Sequence, residues 1–254
     1  MNIRFDNQTV IITGASTGIG RAAALEFGRS GAKVVVNYHQ SKAAAEEVVS
    51  IIQSESGKAI AVQADVSVSS DVKRMVELTQ ETFGEKIDVL VNNAGALIRR
   101  ALIEDLTEDL WDECMMLNHK SVFLCSQAVI PVMKKQGHGR IINISSVAAR
   151  SGGGPGSGHY GSAKAAVLHY TKALAKELAQ TGITVNGVAP GVINTPFHVK
   201  FTSKEVRENF KNDIPLGREG TPDEIAYAIL FLASEYSSYI LGETIEVNGG
   251  MWMD

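Results

Sequence analysis

Short runs of β-branched and apolar residues alternate with amphipathic stretches along almost the whole chain. Runs this apolar indicate strands covered on both faces, and their alternation with helical patterns is typical of crossovers in a parallel sheet. Strands are predicted at 9–13, 33–38, 58–63, 89–93, 140–145, 183–189 and 243–248. Helices are predicted at 19–30, 41–55, 69–83, 107–136 with a division near Asn118, 160–180 and 222–234. The pattern predicts an α/β fold with a doubly wound parallel sheet of about seven strands flanked by helices.

Residues that favour helix ends support these boundaries. The predicted N-caps are Ser41 and Ser69, and the glycines expected to end helices are Gly31, Gly57 and Gly84. The stretch TPDE at 221–224 predicts a capping box with proline at the first helical position. A glycine-rich stretch at 151–158 predicts a loop, and no linker divides the chain. We therefore expect residues 1–254 to form a single domain.

Composition narrows the class of protein. The 254 residues are 44% hydrophobic and 20% charged, which suits a large globular core, and the net charge of −4 without a basic block argues against a nucleic-acid partner. No apolar run reaches the roughly 18 residues of a membrane span, and no signal peptide precedes the first strand, so a cytoplasmic protein is expected. Cys114 and Cys125 are expected to be small core or helix-surface residues, and the six histidines lack metal-ligand spacing.

A glycine loop follows the first predicted strand. Gly14, Gly18 and Gly20 stand between that strand and the first helix. A pyrophosphate bound there needs backbone N–H groups, a positive helix end and no Cβ in its way, which is the arrangement of a Rossmann fold. The same letters also satisfy G-x-S-x-G, the nucleophile elbow of a hydrolase, with Ser16 as nucleophile. That alternative is disfavoured because no strands precede the loop and no Asp–His couple stands out.

The candidate chemistry lies on the helix after the glycine-rich loop. Tyr160 and Lys164 are four residues apart and share a helix face, and Ser146 stands at the end of the fifth strand. Ligands of doubly wound sheets bind beyond the carboxyl ends of the strands, so all three side chains are expected at one edge. Tyr38 and Lys42 have the same spacing, but no such serine accompanies them.

Six ordered motifs resemble those of the short-chain dehydrogenase/reductase family. They are TGASTGIG at 13–20, NNAG at 92–95, NISS at 143–146, YGSAK at 160–164, PGVINT at 190–195 and GETIEVNGG at 242–250. Reductases of 3-oxoacyl thioesters and glucose-type dehydrogenases are the most similar members. The resemblance implies a Rossmann-fold, NAD(P)-dependent oxidoreductase that acts on a secondary alcohol or ketone of sugar, polyol or 3-oxoacyl type, and a homotetramer. A dinucleotide-sensing protein without turnover is the alternative.

The resemblance also implies catalytic roles. Tyr160 is the general acid or base, Lys164 holds the nicotinamide ribose, Ser146 polarises the substrate oxygen, and Asn118 anchors a water; Ser145 is the alternative serine. A free tyrosine has a pKa of about 10, so work near neutrality requires a fall of roughly 3, which we expect Lys164 and the oxidised nicotinamide to cause. Ser146 precedes Tyr160 by 14 residues instead of the family's usual 13, and the glycine-rich loop is expected to absorb the extra residue.

Cofactor contacts are assigned by the same resemblance. They are Gly14, Ser16, Thr17, Gly18, Ile19 and Gly20; Tyr38 and His39; Asp65 and Val66; Asn92, Ala94 and Gly95; Tyr160 and Lys164; and Pro190, Gly191, Ile193 and Thr195. The second strand is followed by Tyr38 where an acid would hold the adenosine ribose of NAD. His39 or Lys42 would attract a 2′-phosphate, whereas Thr17 replaces an arginine common in NADP-preferring relatives. NADP is predicted, with NAD as a possible second cofactor.

Substrate identity is expected to depend on segments 96–102, 147–158 and 192–217. The last is expected to be a lid, in which Phe197, Phe201 and Phe210 either close over a ligand or pack the lid onto the body. Arg99 and Arg100 are expected to be a solvated pair, although they would suit an anionic substrate.

Overall fold

The computed structural model describes residues 3–196 and 213–253, which contain one seven-stranded sheet. The strands are β1 (Thr9–Ile12), β2 (Lys33–Tyr38), β3 (Lys58–Gln63), β4 (Val89–Asn92), β5 (Gly139–Ile144), β6 (Ile183–Pro190) and β7 (Thr244–Val247). They lie in the order β3-β2-β1-β4-β5-β6-β7, and every neighbouring pair is parallel. The predicted Rossmann architecture and all seven strands are confirmed.

Helices cover both faces of the sheet. They are α1 (Gly18–Arg29), α2 (Lys42–Ser54), α3 (Ser69–Phe83), α4 (Glu108–Met115), α5 (Ser121–Gln136), α6 (Ala148–Ser151), α7 (Gly158–Leu178) and α8 (Pro222–Ala233). A single π-helical turn, Met116–Lys120, joins α4 to α5 and includes the division predicted near Asn118. The short helix α6 and the 3₁₀ turns at Ile103–Asp105 and Glu235–Ser237 were not predicted.

Helix ends agree with only part of the prediction. The capping box is confirmed, because Thr221 and Glu224 exchange side-chain and backbone hydrogen bonds. Ser69 is wrong as a cap, since it is already the first residue of α3, and Ser41 precedes α2 without a side-chain cap hydrogen bond. Gly31 and Gly84 have positive φ values of 91° and 98°; after α2 the left-handed residue is Ser56, with φ of 65°, instead of Gly57.

Successive residues of the central strands enter two separate cores. Val10 and Ile12 of β1 pack with α1 and α8, whereas Ile11 packs on the other face with α3, α5 and α7. All three side chains are fully buried. Each such side chain contributes about 1.5–3 kcal/mol of apolar transfer free energy. No helix within the two described ranges is long and apolar enough to cross a bilayer.

Candidate active site

A cavity of about 1080 Å³ lies beyond the carboxyl ends of the strands, where a doubly wound sheet binds its ligands. Both the glycine loop and the Tyr160 cluster open into it. The predicted site residues that line it are Gly14, Ser16, Thr17, Gly18, Ile19, Tyr38, His39, Asp65, Ala94, Gly95, Ser146, Tyr160, Lys164, Pro190, Gly191, Ile193 and Thr195. The fold therefore brings the two predicted halves of the site into one space.

Gly20, Val66, Asn92 and Asn118 were also predicted here, but they are not among the residues that line the cavity. Val66 is buried in the core beside α3. At Gly20 a Cβ would lie 2.4 Å from the carbonyl oxygen of Gly14. Gly20 is therefore required for the close approach of α1 to the loop, and its direct contact with a cofactor stays a prediction.

Asn92 and Asn93 point in different directions. The Asn92 Nδ2 donates to Asn143 Oδ1 at 2.8 Å and to Ser126 Oγ at 3.2 Å, inside the sheet–helix layer. Asn93 lines the cavity instead, and its Nδ2 donates to the carbonyl oxygen of Thr13 at 2.9 Å. Asn92 thus joins neighbouring strands, and the cavity-facing asparagine is the next residue.

The glycine loop is held by side chains that the motif does not contain. Asn37, buried in β2, accepts the Gly14 N–H on Oδ1 at 3.1 Å, and its Nδ2 donates to the carbonyl oxygen of Ala64 at 3.1 Å. Asn93 Nδ2 also reaches the Gly14 carbonyl oxygen at 3.1 Å. Neither Asn37 nor Asn93 was predicted to support the loop. For Asn37 the sequence offered a signal, because a side-chain amide inside the apolar run KVVVNY needs hydrogen-bond partners when it is buried.

The loop has the shape that a pyrophosphate requires. Gly14 and Gly18 have φ values of 61° and 57°, which strain any residue with a Cβ. A Cβ at Gly14 would lie 3.1 Å from the Ala94 Cα, and Gly18 begins helix α1. The residues present therefore fit a dinucleotide whose phosphates lie against the loop and the α1 N-terminus.

Tyr160 and Ser146 both line the cavity and are joined by a side-chain hydrogen bond. Lys164 lies with its Nζ 5.8 Å from the centroid of the Tyr160 ring and donates to the carbonyl oxygen of Ile144 at 2.8 Å. Ser145 is buried, and its Oγ donates to the Lys164 carbonyl oxygen at 2.9 Å. The structure thus brings Ser146, and not the alternative Ser145, to the phenol.

Asn118 lies in the π-helical turn and is fully buried. Its Oδ1 accepts the Ala96 N–H at 3.1 Å, and its Nδ2 donates to the Ala96 carbonyl oxygen at 2.8 Å. A Cβ on Gly95 would lie 2.6 Å from Asn118 Oδ1 and 2.9 Å from Lys164 Nζ. The Asn118 side chain therefore fixes the segment after β4, and its role as a water anchor stays a prediction.

Burial dominates the electrostatics of the pair. Desolvation raises the pKa of Tyr160 to about 12 although the Ser146 hydrogen bond opposes it, and desolvation lowers the pKa of Lys164 to about 8. This upward shift of the Tyr160 pKa describes the polypeptide by itself, and the acidification expected from Lys164 together with the oxidised nicotinamide stays a prediction. Desolvation keeps the phenol protonated at neutral pH in the polypeptide by itself.

A family model described as enoyl-(acyl carrier protein) reductase matches residues 14–252. The chain belongs to the short-chain dehydrogenase/reductase family. This short-chain dehydrogenase/reductase is 47% identical to a 3-oxoacyl-[acyl-carrier-protein] reductase of Synechocystis over 97% of both chains. It is 44% identical to the reductase of that name from Staphylococcus aureus, over 97% of this chain and 98% of the relative. It is an oxidoreductase that acts on CH–OH and keto groups with a nicotinamide cofactor.

A solved structure supports the same assignment. A short-chain type dehydrogenase/reductase from Mycobacterium marinum superposes with a TM-score of 0.94 at 35% identity, covering 99% of this chain and 98% of that one. Ser16 of this short-chain dehydrogenase/reductase lies in the dinucleotide loop, so the nucleophile-elbow interpretation is set aside.

The part of the cavity after β2 and β3, where the adenosine is expected, contains a histidine and a carboxylate. His39 Nε2 lies 3.8 Å from Asp65 Oδ2, and Asp65 Oδ1 accepts hydrogen bonds from the N–H and Oγ of Ser67 at 2.9 and 2.6 Å. Ser41 lines the cavity at the start of α2, whereas Lys42 faces Glu46 at 3.6 Å. Of these two predicted phosphate-binding residues, His39 lines the cavity and Lys42 is not among its lining residues.

Helix α6 and a run of left-handed glycines lie between Ser146 and Tyr160, and absorption of the extra residue by the glycine-rich loop stays a prediction. Helix α6 follows Ser146, and the left-handed glycines are Gly152, Gly153 and Gly156 with φ of 82°, 76° and 72°. Of the predicted lid, the structure describes 192–196 and 213–217; Phe197, Phe201 and Phe210 lie outside the described residues. Arg99 is exposed, while Arg100 lines the cavity and its Nη1 donates to the Pro155 carbonyl oxygen at 2.9 Å.

Both cysteines are buried, as expected. Desolvation raises the pKa of Cys114 to about 11 and that of Cys125 to about 12, so both are thiols at neutral pH. Cys114 has an unforeseen position, because its Sγ accepts from Asn118 Nδ2 at 3.4 Å, close to the catalytic cluster.

Proposed function

We propose that this protein is an NADP-dependent reductase of 3-oxoacyl thioesters, with Tyr160 as the proton donor. The observation that carries the proposal is the half-buried, hydrogen-bonded Tyr160–Ser146 pair in the cavity that contains the glycine loop. The reductases of this substrate class at 44–47% identity over nearly the whole chain favour a 3-oxoacyl group over a sugar or a polyol.

Tyr160 is in the protonation state that reduction requires. A phenol with a pKa of about 12 is protonated at neutral pH and is ready to give its proton to a carbonyl oxygen that becomes an alkoxide. Ser146 Oγ is placed to hydrogen-bond the same oxygen. When bound, the nicotinamide supplies the hydride that reaches the carbonyl carbon. Lys164, with a pKa of about 8, is mainly cationic at neutral pH and stabilises the phenolate left behind.

The preference for NADP over NAD rests on the adenosine end. His39 and Ser41 line the cavity after β2, where a carboxylate would repel a phosphate, and helix α2 begins beside them. Asp65 is the opposing charge, and its Oδ1 accepts two hydrogen bonds from Ser67 while its Oδ2 lies 3.8 Å from His39 Nε2. We therefore expect tighter binding of NADPH than of NADH, with residual use of NADH.

The test measures the fall in reduced-nicotinamide absorbance with acetoacetyl thioester, glucose and polyols, each with both cofactors. We expect turnover of the thioester with NADPH and its loss in Tyr160→Phe, whose dinucleotide affinity stays at the wild-type value. Turnover of a sugar alone would overturn the substrate class. Dinucleotide binding without turnover on any substrate would instead favour the sensing alternative.

We further propose a homotetramer in the cytoplasm. Trp111 and Phe123 are exposed on α4 and α5, and Tyr239 and Met253 are exposed near the end of the chain. Exposed apolar side chains on these elements agree with the interface expected from the family. Light scattering of the purified protein tests this, and a monomer at micromolar concentration would contradict it.

A further inference from the structure

A strained three-residue turn follows β4 on the substrate side of the cavity. The Arg99 N–H donates to the Leu97 carbonyl oxygen at 2.8 Å, and the central residue, Ile98, has φ of 64°. A positive φ is a genuine outlier for a β-branched residue, and turns closed between residues i and i+2 with positive φ are rare and strained. Such strain persists only where neighbouring structure holds it.

His159 supplies that neighbouring structure. It is fully buried on α7, directly before Tyr160, and its Nε2 lies 3.1 Å from the same Leu97 carbonyl oxygen. Because a carbonyl only accepts, Nε2 carries the proton in this contact. Nδ1 is buried with no hydrogen-bond partner among the residues described. Packing alone does not account for a histidine here, because one of its ring nitrogens is buried without a hydrogen-bond partner among the residues described. The hydrogen bond from Nε2 to Leu97 therefore requires an explanation.

The turn is anchored on both sides as well. Asn118 holds the backbone of Ala96 through two hydrogen bonds, and the Ala101 N–H donates to the Gly156 carbonyl oxygen at 3.1 Å. Ile98 lies between these anchors, is half-buried, and lines the same cavity as Tyr160. The conformation of this turn therefore decides which side chain meets a ligand held at the phenol.

We propose that His159 is a positioning residue that holds the strained turn and thereby presents Ile98 to the carbon chain of the substrate. The proposal rests on the proposed function, since it takes that substrate to be a ketone bound at Tyr160 with an alkyl chain along the cavity wall. Ile98 is the specificity-determining side chain, and it favours an apolar chain over a hydroxylated one at that position.

The experiment compares His159→Phe, which keeps a ring but loses the donor, with His159→Gln, whose Nε2 can donate at a similar reach. The matched control is His169→Phe, on the exposed face of the same helix. Measured are kcat and KM for 3-oxoacyl thioesters of increasing chain length and the Kd of NADPH. In His159→Phe we expect KM to rise about tenfold for the longer chains, a smaller change in kcat and an unchanged Kd, with most of KM restored in His159→Gln.

A second readout needs no substrate. Hydrogen exchange of peptides covering residues 96–102 should accelerate in His159→Phe and stay near wild type in His159→Gln and His169→Phe. Ile98→Asn, which tolerates the left-handed backbone but removes the apolar surface, should raise KM for long chains without changing the exchange. Unchanged exchange in His159→Phe, or equal KM shifts in all three histidine variants, would overturn the proposal. If the wild type reduces no 3-oxoacyl thioester, the proposed function is contradicted, whereas the role of His159 in holding the turn is still decided by hydrogen exchange.

Discussion

The glycine-loop end and the catalytic end of the cavity solve different physical problems. The loop is held by neutral amides, such as Asn37 and Asn93, whose polar atoms are paired with backbone groups. The catalytic end buries two ionisable groups, Tyr160 and Lys164, whose pKa values are displaced in opposite directions by desolvation. At the loop end, hydrogen bonds fix the backbone conformation of the glycine loop. At the catalytic end, desolvation of Tyr160 and Lys164 costs free energy of folding.

The largest expected effect is on turnover at the catalytic end. Tyr160→Phe removes the proton donor, and we expect kcat/KM to fall about 1000-fold, within the range of general acid catalysis. The loop end is untouched, so NADPH affinity should remain at the wild-type value in a fluorescence titration. Substantial activity in Tyr160→Phe would contradict the assignment of proton donation to the catalytic end of the cavity.

The next effect is a pH dependence of stability. The pKa of Lys164 is about 8 in the folded chain, below its ordinary value of 10.5, so between these pH values the unfolded chain binds more protons. Stability from this group therefore rises as pH rises from 8 toward 10.5, by on the order of 2–3 kcal/mol in all. Urea denaturation at pH 7.5 and 9.5 should show this rise in the wild type and not in Lys164→Met. Equal slopes of unfolding free energy against pH in the two proteins would contradict the cost assigned to burying the charge of Lys164.

A smaller effect is expected at the loop end. Asn37→Ala leaves the Gly14 N–H and the Ala64 carbonyl without their side-chain partner and should cost about 2 kcal/mol of unfolding free energy. The matched control is Asn186→Ala, another buried asparagine, which bonds to Ile240 and Glu243 away from the loop. Both variants should lose stability, but only Asn37→Ala should weaken NADPH binding, by about tenfold. Equal binding losses would show that the asparagine acts through general stability.

The smallest effect is expected from Ser16→Ala. Ser16 lines the cavity in the dinucleotide loop, so a lost hydroxyl should weaken NADPH binding by about 0.5–1.5 kcal/mol and leave kcat nearly unchanged. Ester hydrolysis assays on wild type and variant complete the comparison. A hydrolytic activity lost in Ser16→Ala would revive the nucleophile-elbow interpretation.

The two ends also differ in how well the sequence predicts them. Runs such as TVII and KVVVNY predicted the strand positions closely, because strands buried on both faces have an unmistakable composition. The glycine positions predicted the loop because only glycine fits there. Asn92 was predicted to contact the cofactor, but its side chain joins neighbouring strands and Asn93 lines the cavity, since a motif does not say on which face a strand's last side chain falls.

At the catalytic end, the identities of Ser146, Tyr160 and Lys164 followed from their spacing and the resemblance, but their electrostatics did not. Desolvation of Tyr160 depends on packing from distant parts of the chain, so the sequence did not predict the upward shift of its pKa in the polypeptide by itself. Helix α6 and the Ile98 turn were also missed, because their conformations are imposed by contacts such as His159 with Leu97.

Two buried hydrogen bonds between the end of β5 and helix α7 have a consequence for engineering. Asn143 Nδ2 donates to Thr171 Oγ1 at 2.9 Å, and Ser145 holds the backbone of Lys164, so α7 is tethered to the sheet at two levels. Neither tether involves the segments around Ile98 or Gly153. Exchange of those segments between relatives is therefore expected to leave helix α7 in place, provided that the His159–Leu97 hydrogen bond is kept.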